Sequence, residues 1–162
     1  MKIIKDNEII EDDWQLLRQI DDVESLPAGK IIVPYLFWLQ NRDALSKRVP
    51  GVGVCIYADN EPEQVAGDLE HIDLIALDFP IFTDGRAYSH ARLLRERYGY
   101  VGELRAVGDV LRDQLFFMKR CGIDSFQLRA DQDAEAALAA FDEFSVCYQG
   151  AADDTTPLYR RR

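Results

Sequence analysis

The chain alternates short apolar runs with longer amphipathic stretches. Lys2–Lys5 and Glu8–Ile10 flank Asp6-Asn7, a pattern that predicts a β-hairpin with a two-residue turn. Asp12-Asp13 precedes Trp14 and Leu16-Leu17, as at the start of a short helix or a capped turn. Residues 1–26 read as an N-terminal attachment, too short to own a core.

From residue 30 the pattern becomes rhythmic. β-Branched or apolar runs at Lys30–Pro34, Gly51–Ala58, Asp73–Phe79, Glu103–Val107 and Ser125–Arg129 predict strands. Helical periodicity predicts helices over Tyr35–Arg48, Pro62–His71, Arg86–Tyr98, Val110–Cys121 and Asp133–Phe144. Pro62 suits a first turn, while Gly99 and Gly122 suit helix ends. Strand–helix alternation at this spacing indicates α/β architecture: consecutive βα units with a mostly parallel sheet of about five strands. Residues 1–150 then form one α/β domain, and 151–162 a mobile tail.

Two arrangements compete. The runs at 52–58 and 74–79 are continuously apolar, as in strands buried on both faces. In Glu103–Val107 and Ser125–Arg129, apolar and polar positions alternate, as on the inner wall of a partial barrel. Open sheet and partial barrel both remain. If all helices pack on one face, a symmetric dimer is the cheapest cover for the other.

Composition narrows the function. With 162 residues, 48% of them hydrophobic, the chain is long enough for a real core. Its net charge of −10 argues against nucleic acid. No run approaches the roughly 20 apolar residues of a bilayer span, and the N-terminus does not read as a secretory signal. Cys55, Cys121 and Cys147 are scattered without a CxxC, so no metal site is expected and the expected compartment is a reducing cytoplasm.

The charge is uneven. Residues 86–129 hold nine Lys and Arg against five acids, so the remainder carries −14. Such a cationic island can draw a small anion or an acidic partner surface, although any single arginine can simply solvate a helix or pair locally, as Arg92 or Arg95 with Glu96.

Ligands of parallel α/β folds sit at the C-terminal strand ends. That rule gathers Asp78, the loop carrying Asp84-Gly85-Arg86, Arg105, Gly108-Asp109 and Arg129. Arg86, Arg105, Gly108 and Arg129, with a helix N-terminus near Val110, form the candidate anion site. Asp84 and Asp109 are the candidate acid/base groups. Each has a plainer reading: Asp109 as a helix N-cap, Asp84-Gly85 as a turn, and Arg105 and Arg129 as partners of Asp78 or Glu103. Arg92 and Arg95 are the candidate partner-binding pair. Phe116-Phe117 read as core, and His90 as a solvent-facing helix residue. GxxxxGK[ST], GxSxG and HExxH do not occur, and Gly51-x-Gly53 enters a strand where a dinucleotide loop must follow one.

Asp84-Gly85-Arg86, Tyr88-Ser89, Ala91–Arg95, Gly102–Ala106, Gly108-Asp109-Val110 and Asp113-Gln114-Leu115 form a long motif. In this motif, and more weakly around Trp14 and Asp78, the chain resembles a bacterial family of unknown function. Its members are labelled as oxidoreductases involved in sulfite reduction. The resemblance implies a setting beside assimilatory sulfite reductase and supplies no catalytic residues. No nicotinamide, flavin, haem or iron–sulfur ligand set is recognisable, so the cofactor stays open. Three functions are therefore expected in order: an accessory protein docking on sulfite reductase, a small enzyme or binding protein for a sulfur oxyanion or phosphorylated metabolite, and a redox protein with an unrecognised cofactor.

Overall fold

The computed structural model describes residues 1–80 and 85–145, the last six of these as backbone only. Asp84, Cys147 and the tail expected to be mobile lie outside these residues.

Eight strands form one mixed sheet. They are β1 (Lys2–Lys5), β2 (Glu8–Glu11), β3 (Gln15–Leu16), β4 (Ile31–Pro34), β5 (Val52–Ile56), β6 (Leu74–Phe79), β7 (Glu103–Gly108) and β8 (Ser125–Phe126). Their order is β2-β1-β8-β7-β6-β5-β4-β3. The five expected strands are β4 to β8, parallel and in sequence order. The sheet is larger than expected because the N-terminal segment joins it at both edges. β1 pairs antiparallel with β8, while β3 pairs parallel with β4. The hairpin is as expected: Asp6 and Asn7 both take positive φ, 51° and 64°, as a two-residue turn between right-twisted strands requires. It is a sheet component rather than an attachment, and Ile4 belongs to the main core.

Chain length decides between flat and curled. β2 and β3 are the two outermost strands, yet only Asp12–Trp14 connects them. Across a flat sheet they would stand ~34 Å apart, at about 4.8 Å per strand. The four Cα steps from Glu11 to Gln15 reach at most ~14 Å. The sheet therefore curls into an open half-barrel.

The helices divide more finely than the periodicity predicts. Tyr35–Arg48 is two short helices, α1 (Tyr35–Gln40) and α2 (Arg42–Ser46). Pro62–His71 is a 3₁₀ helix. α3 (Arg86–Arg92) continues as a π-helical turn through Arg97. The segment expected from Val110 starts later, as a 3₁₀ turn at Arg112–Gln114 followed by α4 (Leu115–Arg120). α5 is Ala134–Ser145, with Asp133 Oδ1 accepting from the Glu135 N–H.

Two cores result. The larger joins the helices to one sheet face through Trp38, Val65, Ala91, Leu94 and Met118 against Val54, Ile75, Leu77 and Leu104. The smaller lies on the other face, where Trp14 and Leu16 cover Ile32, Cys55, Leu74, Ala76 and Val107. The chain's own N-terminal segment thus supplies cover on this second face, where among the described residues no helix packs.

Candidate functional site

Arg105 points from β7 into the sheet face of the smaller core and is 1% exposed. Its guanidinium donates to both carboxylate oxygens of Asp12, at 2.8 and 2.9 Å, and to Glu103 Oε2 at 2.7 Å. Ser125 Oγ and Lys5 Nζ complete the cluster on Glu103, at 2.7 and 2.9 Å. Burial raises the carboxyl pKa of Glu103, but hydrogen bonds from Lys5, Ser125 and Arg105 outweigh it and hold the group below its ordinary value. This corrects the expectation for Arg105: its side chain is enclosed at 2% exposure between Asp12 and Glu103, out of a ligand's reach, and it tethers the Asp12–Trp14 crossover. Glu103 was foreseen as a partner. Asp12 was not, because it lies 93 positions away in sequence.

Arg95 is corrected for a similar reason. It donates to the carbonyls of Gly122, Tyr100 and Gly102 at 2.8 to 2.9 Å and pairs with Asp124. The other member of the proposed docking pair, Arg92, keeps an exposed i,i+4 pairing with Glu96 at 3.8 Å. Arg86 opens α3 and takes part in an interaction of its own. His90 is buried at 5% exposure rather than solvent-facing. Phe117 is 47% exposed rather than core, its ring edge-on to Tyr88 at 4.8 Å.

At the C-terminal strand ends, Arg129 places its Nη1 2.8 Å from Asp109 and grips Asp131 with two bonds of 2.6 and 2.7 Å. These bonds raise the Arg129 pKa and hold the Asp131 carboxyl down at about 2. Asp109 is therefore the partner of Arg129, not a helix N-cap. The following helix starts at Arg112 with Leu111 before it, so no helix N-terminus faces Asp109. Gly108 takes φ +90°, and a Cβ there would meet Phe79 O at 2.6 Å and Asp78 Oδ1 at 2.9 Å. Its glycine serves this close approach of β7 and β6.

Asp78 accepts from Arg18 Nη1 at 3.0 Å. Arg18 also lies over the Tyr57 ring, 5.9 Å from its centroid. Beneath it, burial pushes the Cys55 thiol and the Tyr57 hydroxyl up to about 12, so neither is a thiolate or phenolate at neutral pH. Arg18 is the residue that sequence reasoning missed. Nothing local marks it, and only the curl brings it to the ends of β6 and β7.

A cleft of about 480 Å³ opens beside these groups. Its lining includes Lys2, Arg18 and Arg129, together with Gly108 and the Gln127 amide, and among the described residues no acid. Asp78, Asp109 and Asp131 lie outside that lining but hold its guanidiniums, Asp78 that of Arg18 and the other two that of Arg129. Of the expected anion set, Gly108 and Arg129 share this cleft; Arg105 does not line it. Among the described residues no group of three or more His, Cys, Asp and Glu is placed to hold a metal ion. None of the described helices is long and apolar enough to cross a membrane.

The model of a family described as bacterial protein of unknown function, DUF934, matches residues 53–159. No curated protein matches the chain.

Proposed function

The chain belongs to the DUF934 family of bacterial proteins, and on that premise we propose that its cleft binds a small oxyanion in the service of sulfite reduction. One observation carries the binding reading: a protein of net charge −10 lines this cleft with three cations and, among the described residues, no acid. Asp78, Asp109 and Asp131 use only some of the guanidinium N–H groups of Arg18 and Arg129, and the remaining ones, with the Lys2 ammonium, can meet an anion. The carboxylates paired with Arg18 and Arg129 fix the planes of the guanidiniums, and the half-exposed heads remain accessible to a ligand. The sulfur connection rests on the resemblance of the 84–129 motif.

Thermal unfolding with sulfite, sulfate or phosphate tests the binding. A ligand at about 100 times its Kd adds roughly 2.7 kcal/mol. Arg129→Ala and Arg18→Ala should each remove most of that gain. Variants stabilised as strongly as wild type would sink the assignment.

A second reading, docking on sulfite reductase as an accessory protein, is favoured by one surface feature. Phe117 is exposed against Tyr88, and Arg92 lies one turn further along α3. An aromatic beside a cation suits a partner surface with acidic groups. Co-elution with the reductase tests it: Phe117→Ser with Arg92→Glu should abolish a shared peak. The charge reversal belongs at Arg92, since Arg95 holds internal carbonyls.

A further inference from the structure

The same cleft carries information about the size and kind of its ligand. Its volume of about 480 Å³ equals that of ~16 waters at about 30 Å³ each, far more than a bare tetrahedral or pyramidal oxyanion occupies. It falls within the roughly 300–1,000 Å³ typical of sites for organic ligands. Beside the cations, its walls carry Ile3, Leu128, Ala130 and Ala134. An inorganic ion makes no use of such walls.

The backbone adds a second observation. The β1–β8 ladder ends at Ile4↔Phe126, although β1 continues to Lys2 in its pairing with β2. Asp6 N–H donates to Asp124 O, so by alternation Ile4 and Lys2 also turn their main chain toward β8. On the other side, the N–H groups of Gln127 and Arg129 go to Ala106 and Val110, which turns Leu128 toward β1. Lys2 and Leu128 would be the next bonded pair, but β8 ends at Phe126. Among the described residues no backbone bond closes that pair. Two N–H and two C=O groups therefore face the opening. The N–H groups suit an anion. The carbonyls suit a ligand that also donates, and a bare sulfate donates nothing.

We infer that the ligand is an organic anion, with its acidic group on the cleft's cations and its carbon body against the apolar walls in the β1–β8 gap. The inference rests on the oxyanion reading above and narrows it. It assigns Ala130 and Ala134 as walls for the ligand body, and the main chain of Lys2 and Leu128 as its polar guides.

Titration calorimetry on the full chain tests this with matched probes: sulfate against benzenesulfonate, and phosphate against phenyl phosphate. The aryl probes should bind at least about tenfold more tightly than their inorganic counterparts, a difference of about 1.4 kcal/mol. Ala130→Trp fills the cleft from an exposed position and should erase that preference. Arg129→Ala should weaken both classes. Equal affinity for aryl and inorganic probes would overturn the inference and leave the oxyanion reading standing. An aryl preference that survives Ala130→Trp would place the ligand elsewhere and also overturn it. No binding by any probe would overturn both.

Discussion

Replacing Asp12 with alanine removes the carboxylate that tethers the crossover between the two sheet edges. In the native protein it meets Arg105 through two bonds of 2.8 and 2.9 Å, with both side chains at 4% exposure or less. Removing one partner of a buried pair strands the other charge, at a cost of about 3–5 kcal/mol. Glu103 still holds Arg105 at 2.7 Å, so the low end applies, ~3 kcal/mol. For a chain of this size that lowers the melting temperature by ~6–12 °C. Urea unfolding of the full chain reads it as a lower midpoint with an unchanged m value. The double variant Asp12→Ala/Arg105→Met should lose clearly less than the sum of the single variants, because both remove the same bond. A loss below ~1 kcal/mol for Asp12→Ala, or strict additivity in the cycle, would show that the pair does not hold the fold together.

Gly108→Ala forces a side chain into a left-handed backbone position and against Phe79 O; a loss of at least ~2 kcal/mol with weaker anion binding is expected, and near-neutral stability would refute the close approach. Burial raises the pKa of both Cys55 and Cys121, so in a Cys147→Ser background neither should react with a disulfide reagent at pH 8 until the protein is unfolded; a fast-reacting thiol in the native protein would contradict their placement. The pKa of Glu103 is depressed on folding, so its contribution is fully present above its unfolded value near 4.5 and is lost as pH falls through the lower folded value. Glu103→Gln should flatten the acid limb of the urea midpoint between pH 5 and 3, and an unaltered limb would assign the acid sensitivity to other groups.

The local code of this chain was legible wherever the decisive contacts are near in sequence. Apolar runs at Val52–Ile56 and Leu74–Phe79 marked central strands, and Asp6-Asn7 marked the hairpin, since both depend on neighbouring residues. The polar alternation in β7 places Leu104 and Ala106 in the larger core and Arg105 on the other face, whereas β8 is only Ser125–Phe126, too short for the alternation expected through Arg129. Which arginines face a ligand was not legible. Arg105, Arg95 and Arg129 look equivalent in a charge count. Only packing buries the first with Asp12, turns the second to backbone carbonyls, and leaves the third, though paired with Asp109 and Asp131, half-exposed beside a cleft. Arg18 and Lys2 reach that cleft because a three-residue crossover forces the sheet to curl and draws the N-terminal segment across it. The segment's own residues determined its strands and its turn. Its place at both sheet edges was decided by chain length and register, which act between residues far apart in sequence.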